Sequence, residues 1–104
     1  MRYYRLPTVE ELHKVFNYEN GKPKVDGFTF DGYWSSTTRA TCMNDAWIVR
    51  FYDGYTYGND KSYPYCVRCV KKCEDGSLEW SEATKKKMTW DKANEYCKRM
   101  NDGE

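Results

Sequence analysis

The middle of the chain contains the stretch Ala46-Trp47-Ile48-Val49-Arg50-Phe51-Tyr52. Most of its residues are β-branched or aromatic, which is the composition typical of a strand. The same composition predicts further strands over residues 32–36, 65–71 and 77–81. Glu74-Asp75-Gly76 lies between the last two segments and favours a tight turn, so these two strands are predicted to form an antiparallel hairpin.

Two helices are predicted, one on each side of these strands. The first begins at Thr8, because Glu11 follows three residues later and completes the capping box that satisfies two backbone donors. The second covers about residues 89–101, where apolar side chains recur at helical spacing. Cys97 lies on that apolar stripe and is therefore predicted to face the core.

Length and charge limit the classes of function. A chain of 104 residues makes one domain and leaves no room for a deep crevice between two lobes. Its 17 basic and 16 acidic residues give a net charge of +1, so no nucleic acid partner is expected. No apolar run approaches the roughly 20 residues that span a bilayer, so no membrane insertion is expected either. The segment Met1 to Arg5 lacks the features of a signal peptide.

Two polar segments have the character of a recognition surface. Residues 37–44 are mostly small and polar, and residues 52–65 contain five tyrosines among Gly, Asp, Asn and Ser. Such mixtures provide rigid contact area together with adaptable hydrogen bonds. In the alternative interpretation, alternate tyrosines of a hairpin simply cover a sheet. Trp34 and Trp47 are predicted to be core residues. The predicted contact residues are Arg39, Asn44, Tyr52, Tyr55, Tyr57, Asn59, Asp60 and Tyr63.

The five cysteines cannot all pair with one another. They are Cys42, Cys66, Cys69, Cys73 and Cys97. Two disulfides with one thiol, one disulfide with three thiols, and five thiols all remain open. The spacing of Cys66 and Cys69 is that of half a zinc site, but residues three apart on a strand point to opposite faces. The only histidine, His13, is far upstream and is predicted to be a surface residue, so no metal site is predicted.

Four segments, taken in order, resemble a known bacterial family. Residues 5–12, 33–37, 46–51 and 67–70 are similar to its RLPT-x-x-EL, YWSST, AW-x-V-x-F and VRCVR signatures. The chain is thereby identified as a member of the Lcl C-terminal domain family, found at the C-terminus of collagen-like adhesins. The resemblance implies an α+β, C-type-lectin-like fold, similar to that of the formylglycine-generating enzyme, with two helices packed on short twisted antiparallel sheets.

The order of the segments departs from the family pattern. A segment like residues 78–101 precedes the RLPT signature in the family, whereas here it follows the other signatures. The resemblance thus implies a circularly permuted single domain over residues 1–104. Residues 1–72 form the family's C-terminal part, 73–77 a hairpin turn, and 78–104 its N-terminal part. A monomer is favoured because each signature occurs once; a slice of a tandem array, forming a swapped dimer, is the alternative.

The resemblance also bears on the cysteines and on calcium. In the family, the cysteines corresponding to Cys69 and Cys97 form a disulfide. A second bridge between Cys42 and Cys66 is a further hypothesis. The calcium motif of true C-type lectins is missing, so no cofactor is expected. A calcium site remains the alternative if five oxygen-bearing residues converge, namely Asn44, Asp45, Asp53, Asn59 and Asp60.

The expected function is that of a non-enzymatic ligand-binding or adhesion module that recognises a glycan or a protein. It is expected outside the cell, on a cell or virion surface, with any export signal outside this chain. One alternative is a diversified receptor-binding protein that varies within residues 37–44 and 52–65. A less favoured alternative is a cysteine oxidase like the formylglycine-generating enzyme, using Cys66 and Cys69 with copper.

Overall fold

The computed structural model describes residues 3–17, 19–29, 31–84 and 86–102. These form an α+β fold with two helices and several small antiparallel sheets. In chain order the elements are α1 (Val9–Val15), β1 (Phe16–Asn17), β2 (Lys22–Pro23), β3 (Gly32–Thr38), β4 (Asp45–Arg50), β5 (Thr56–Asp60), β6 (Val70–Lys72), β7 (Leu78–Trp80) and α2 (Trp90–Asp102).

The main sheet has the strand order β3-β4-β5, with antiparallel pairing throughout. Beyond β3 it is extended by a short parallel contact, in which Trp34 N–H donates to Cys66 O at 3.1 Å. On the other side of the sheet, β5 is the outer strand. The favoured interpretation of the tyrosine-rich segment, a turn-prone recognition loop, does not include β5, whereas the alternative interpretation, a hairpin whose tyrosines cover a sheet, does.

Both faces of the main sheet carry buried side chains, and successive strand residues alternate between the two faces. Ile48 belongs to a cluster on the α2 side of the sheet, whereas its neighbour Val49 belongs to a cluster on the α1 side. Trp34 is fully buried in the α2-side cluster, as predicted. The prediction for Trp47 is wrong, since this side chain is partly exposed and belongs to neither cluster.

The hairpin predicted at Glu74-Asp75-Gly76 joins β6 to β7, with Gly76 at a φ of 89°. The strand predicted over residues 65–71 is regular only from Val70 onward. Before that, the chain passes from one partner to the next: Tyr65 pairs with Met88, and Cys66 pairs with β3. No single neighbour extends along this segment, so it does not form one continuous strand.

A disulfide joins Cys69 to Cys97, the pair that the family resemblance implied. Both cysteines are fully buried, and the bond attaches α2 to the segment that leads into β6. The hypothesis of a second bridge between Cys42 and Cys66 is wrong. Cys42 is exposed, whereas Cys66 is buried in the α1-side cluster, and both are free thiols.

The N-terminus of α1 has the predicted capping box. The Thr8 hydroxyl accepts a hydrogen bond from Glu11 N–H, and the Glu11 carboxylate accepts one from Thr8 N–H at 2.8 Å. Arg5 adds a second anchor, because its guanidinium donates to both carboxylate oxygens of Glu11. The hydrogen bond from Arg5 and those at Thr8 lower the pKa of Glu11, although burial opposes the shift.

We expect Glu11→Gln to destabilise the protein by about 0.5–1 kcal/mol at pH 7, because Gln keeps the cap but loses the charge that pairs with the half-exposed Arg5. A carboxyl whose pKa is lowered by folding stabilises the protein above its unfolded pKa, and this stabilisation is lost as the pH falls through the folded pKa. The difference in urea stability between the two proteins should therefore shrink towards pH 3. The exposed Glu10→Gln serves as the control, and a difference independent of pH would contradict the prediction.

Candidate functional site

The turn between β4 and β5 holds two of the predicted contact residues at the surface. Arg50 O accepts a hydrogen bond from Gly54 N–H at 2.7 Å, and Arg50 N–H donates to Tyr55 O at 2.9 Å. Gly54 has a φ of 75°, which favours glycine at this position. The tight turn leaves the side chains of Tyr52 and Tyr55 52 % and 57 % exposed.

These side chains belong to a continuous surface that we call the tyrosine patch: Arg50, Tyr52, Asp53, Tyr55 and Tyr57. The guanidinium carbon of Arg50 lies 4.4 Å from the ring centroid of Tyr52 and 5.0 Å from that of Tyr55. Arg50 also donates to both carboxylate oxygens of Asp53, at 3.1 and 2.5 Å. The rings of Tyr55 and Tyr57 stack with centroids 5.9 Å apart. Arg50 therefore organises the aromatic rings around one ion pair.

Contacts within the patch shift the pKa values of three of its side chains. The hydrogen bond from Arg50 lowers the pKa of Asp53, and the same bond raises the pKa of Arg50. Burial, followed by a hydrogen bond with Tyr65, raises the pKa of Tyr57 to about 12. The patch thus combines a paired guanidinium and carboxylate with tyrosine hydroxyl groups, which suits polar recognition without strong attraction for either sign of charge.

Asn59, another predicted contact residue, points into the structure. Its amide donates to the Tyr65 hydroxyl at 2.5 Å, and the Tyr65 ring packs edge-on against buried Trp34 with centroids 5.0 Å apart. Tyr57 lies on the same side of the sheet and is half-buried. Tyr57 and Tyr65 therefore cover the sheet, as in the alternative interpretation of the tyrosine-rich segment. Tyr52 and Tyr55 remain at the surface.

The remaining predicted residues lie at the opposite end of β5. Asn44 O accepts a hydrogen bond from Lys61 N–H at 2.8 Å, and the carboxylate of Asp60 accepts bonds from the backbone and hydroxyl of Ser62. Tyr63 is 53 % exposed there. Asp60 lies three residue steps along β5 from Tyr57, the nearest patch residue on this strand, which is about 10 Å at roughly 3.3 Å per residue. The structure therefore does not bring the eight predicted residues together on one surface. They fall into a set in the tyrosine patch (Tyr52, Tyr55 and Tyr57), a set at the far end of the hairpin (Asn44, Asp60 and Tyr63), the inward-pointing Asn59, and Arg39 beside Trp47.

Trp47 is only partly buried beside the predicted residue Arg39, because of its cross-strand neighbour. The register places Trp47 opposite Gly58, which has no side chain to cover the indole. Arg39 lies across the ring instead, with its guanidinium carbon 5.5 Å from the centroid, and pairs with Asp45 at 3.5 Å. The sequence predicts Trp47 as a core residue because it does not show that Gly58 lies opposite it. The predicted contact residues also omit Arg50 and Asp53, although their spacing of three residues just before Gly54 was an available signal.

His13 is not the plain surface residue that the sequence predicted. Its ring is half-buried, and Nε2 contacts the hydroxyl of Thr56, so α1 touches the first residue of β5. Leu12 and Val15 of α1 pack in the same cluster as Val49 of β4, on the face of the sheet that Thr56 shares. His13 therefore has a structural contact that its position off the apolar stripe of α1 did not indicate.

The oxygen ligands considered for calcium do not converge. Asp53 lies in the β4–β5 turn and binds Arg50, whereas Asp45 and Asp60 face each other at the far end of the hairpin. In the part of the chain that the structure describes, no group of three or more His, Cys, Asp or Glu side chains comes together. Nor does any helix in the described ranges have the length and apolar character needed to cross a membrane.

Two shallow hollows border the outer face of α2, which the sequence analysis did not consider. One has a volume of about 260 Å³ and the other about 310 Å³. These volumes lie at the lower end of the range for small-molecule sites. The first is lined by Met88, Lys92, Glu95, Tyr96 and Arg99, and the second by Tyr3, Tyr4, Lys98 and Asn101. In the first, Arg99 already pairs with Glu95 at 3.2 Å.

Comparison with known proteins identifies one family. Residues 2–71 match the profile of the family described as the Lcl C-terminal domain. This match covers more than half of the chain and ends within β6, before the turn to β7. No curated protein and no solved structure matches the chain.

Proposed function

Because the chain belongs to the Lcl C-terminal domain family, we propose that it is a non-enzymatic binding module of the adhesive kind, which recognises a glycan or a protein. The observation that carries this proposal is the tyrosine patch, where two rings more than half exposed are held around Arg50 and Asp53. Tyrosine and arginine dominate binding hot spots, and rings that are already positioned lose little conformational entropy on binding.

The patch is better suited to binding than to catalysis. A general acid or base needs a pKa near the working pH. The pKa of Asp53 is lowered by Arg50, and that of Tyr57 is raised to about 12, so neither group exchanges a proton readily near neutral pH. The surface can instead offer hydroxyl, carboxylate and guanidinium groups to a polar ligand.

The arrangement of the cysteines supports a location outside the cell and weakens the oxidase alternative. A buried disulfide such as Cys69–Cys97 is typical of proteins from oxidising compartments. The oxidase would need Cys66 and Cys69 as a reactive pair. Cys69 is instead bonded to Cys97, and Cys66 lies in the α1-side cluster, where burial raises its pKa.

We expect Tyr52→Ala and Tyr55→Ala each to weaken binding at least about tenfold, because truncating an aromatic hot spot typically costs about 2 kcal/mol or more and tenfold corresponds to about 1.4 kcal/mol. The wild type would first be screened on a glycan array and an array of extracellular proteins, and the Kd of the strongest hit would be measured for each variant. Tyr96→Ala is the matched control, since Tyr96 is a 40 % exposed tyrosine on α2. Loss of binding in the control but not in the patch variants would exclude the tyrosine patch as the site.

A diversified receptor-binding protein is the second candidate, and a contact between the two polar segments favours it. Lys61 N–H donates to Asn44 O at 2.8 Å, and its ammonium donates to the Thr38 hydroxyl at 3.0 Å. The segments 37–44 and 52–65 therefore adjoin at one end of the sheet. Sibling genes that vary at exposed positions of both segments, while keeping half-buried Asn59, would support this candidate. Uniform sequences there would contradict it.

We also infer a C-type-lectin-like fold with a circularly permuted order, acting as a monomer. The contacts that hold α2 within its own chain include the Cys69–Cys97 disulfide, a bond from Trp90 Nε1 to Ser35 O at 2.9 Å, and one from Tyr4 N–H to Asn101 Oδ1 at 2.7 Å. Light scattering on the oxidised protein should give the monomer mass of 12.4 kDa. A dimer whose Cys69–Cys97 bonds link two chains would overturn the inference.

A further inference from the structure

The outer strand β5 has a free hydrogen-bonding edge. Arg50 N–H donates to Tyr55 O at one end of the β4–β5 ladder, and Lys61 N–H donates to Asn44 O at the other. Antiparallel pairs alternate between bonded and non-bonded positions, so every second residue of β5 faces β4 and the others face away. The residues that face away include Thr56 and Gly58. No described residue hydrogen-bonds to the backbone of either on that side.

This edge lacks the features by which proteins usually prevent strand addition. Exposed edges are commonly protected by proline, lysine or a bulge. The first four residues of β5 are Thr56-Tyr57-Gly58-Asn59, none of which is charged or proline. Their pairing with β4 runs in continuous register without a bulge. The edge is therefore regular and able to accept another strand.

A positive charge lies directly beside the centre of this edge. A Cβ atom on Gly58 would lie 3.1 Å from Arg39 Cδ and 3.4 Å from Arg39 Nη1, so the arginine side chain occupies the space that a side chain at Gly58 would fill. The Arg39 side chain is 41 % exposed, and its ion pair with Asp45 is long, at 3.5 Å. A strand added beside Gly58 would bring one of its own side chains next to this guanidinium.

We propose that the free edge of β5 binds an extended polypeptide segment as an additional strand, with an acidic side chain placed beside Arg39. Backbone hydrogen bonds to Thr56 and Gly58 supply the attachment, and Arg39 supplies the selectivity for acidic sequences. This inference is independent of the tyrosine patch, because it uses another edge of the hairpin and the opposite face of the sheet.

A second copy of the chain fits this edge less well than an acidic segment does. The backbone of Asp60 is already used, since its N–H donates to Asn59 Oδ1 and its C=O accepts from Tyr63 N–H. Two β5 edges would therefore have to pair Thr56 of each chain with Gly58 of the other. That register provides no carboxylate for Arg39, so the charge complementarity favours a partner that supplies one.

Amide hydrogen exchange followed by NMR tests the edge residue by residue. In the free protein, the amides of Thr56 and Gly58 should exchange rapidly, whereas those of Tyr57 and Asn59 should be protected by β4. The probe is the blocked pentapeptide Thr-Val-Glu-Val-Thr. At saturation it should slow exchange at Thr56 and Gly58 at least about tenfold. Without peptide, the exchange rates at Thr56 and Gly58 should not depend on protein concentration. If these amides become protected as the protein concentration rises, a second copy of the chain binds at the edge, and the proposal is overturned.

Charge exchange tests the role of Arg39. The Arg39→Glu variant should bind the Glu peptide at least about tenfold more weakly than the wild type does. The same variant should bind a peptide with Lys in place of the central Glu more tightly than it binds the Glu peptide. Arg99→Glu, which changes an exposed arginine on α2, is the matched control and should leave binding unchanged. Tyr52→Ala should also leave it unchanged, which separates this proposal from the proposed function.

A modified ligand completes the test without altering the protein. N-methylation of the alternate peptide residues that face β5 removes their donors, and it should abolish binding. The proposal is overturned if the methylated peptide binds as well as the parent. It is equally overturned if peptide-induced shifts are confined to Tyr52 and Tyr55, since the peptide would then occupy the tyrosine patch.

Discussion

Replacing both Cys69 and Cys97 by alanine is expected to lower the free energy of unfolding by about 3–4 kcal/mol. The disulfide joins residues 28 apart in sequence, and closing a loop of that size in the unfolded chain accounts for a stabilisation of this order. Its loss also frees α2, whose residues Ala93 and Cys97 are fully buried in the α2-side cluster. Urea denaturation of the oxidised wild type and the double variant measures the difference.

Cys42→Ser provides the matched control for this double replacement. Cys42 is an exposed free thiol, so its replacement should leave the urea midpoint unchanged. Reductant should shift the wild type towards the double variant and should have no effect on the variant itself. Equal midpoints for the wild type and the double variant would show that the Cys69–Cys97 bond does not contribute to stability in solution.

Features that depend on neighbouring residues in sequence could be predicted. The capping box fixed the start of α1, because Thr8 and Glu11 satisfy each other's backbone donors whatever the rest of the chain does. The turn at Gly76 likewise follows from a local preference for positive φ. The grouping of Arg50 with Asp53 is equally local, and their spacing could have indicated part of the tyrosine patch.

Features that depend on distant pairing could not be predicted. Gly58 and Asn59 disfavour a strand by composition, yet they form one because β4 provides a partner in register. The exposure of Trp47 follows from that same register, since its neighbour across the ladder is Gly58. The separation of the predicted contact residues has the same origin, because it follows from the register of β5 against β4.

A second large effect is expected at Arg68, the arginine of the VRC signature. Its side chain is buried, although no carboxylate in the described part of the chain forms an ion pair with it. Arg68 Nε donates to Ser81 O at 2.6 Å, and Nη1 donates to Asp26 O at 2.7 Å. The guanidinium carbon lies 4.5 Å from the ring centroid of Phe28. Burial lowers the pKa of Arg68, so the fold holds this charge by hydrogen bonds and aromatic contact.

We therefore expect Arg68→Ala to lower the free energy of unfolding by about 3–5 kcal/mol, because it removes two charged hydrogen bonds and leaves a cavity beside Phe28. Arg68→Lys keeps the charge but lacks the planar guanidinium that reaches both carbonyl groups. Its loss of unfolding free energy should therefore be more than half of the loss expected for Arg68→Ala. Arg68→Met fills the volume without donating hydrogen bonds. If urea denaturation shows full stability for the Met variant, packing alone accounts for the effect. If the Ala variant loses less than 1 kcal/mol, the two hydrogen bonds do not hold the segment around Asp26 in solution.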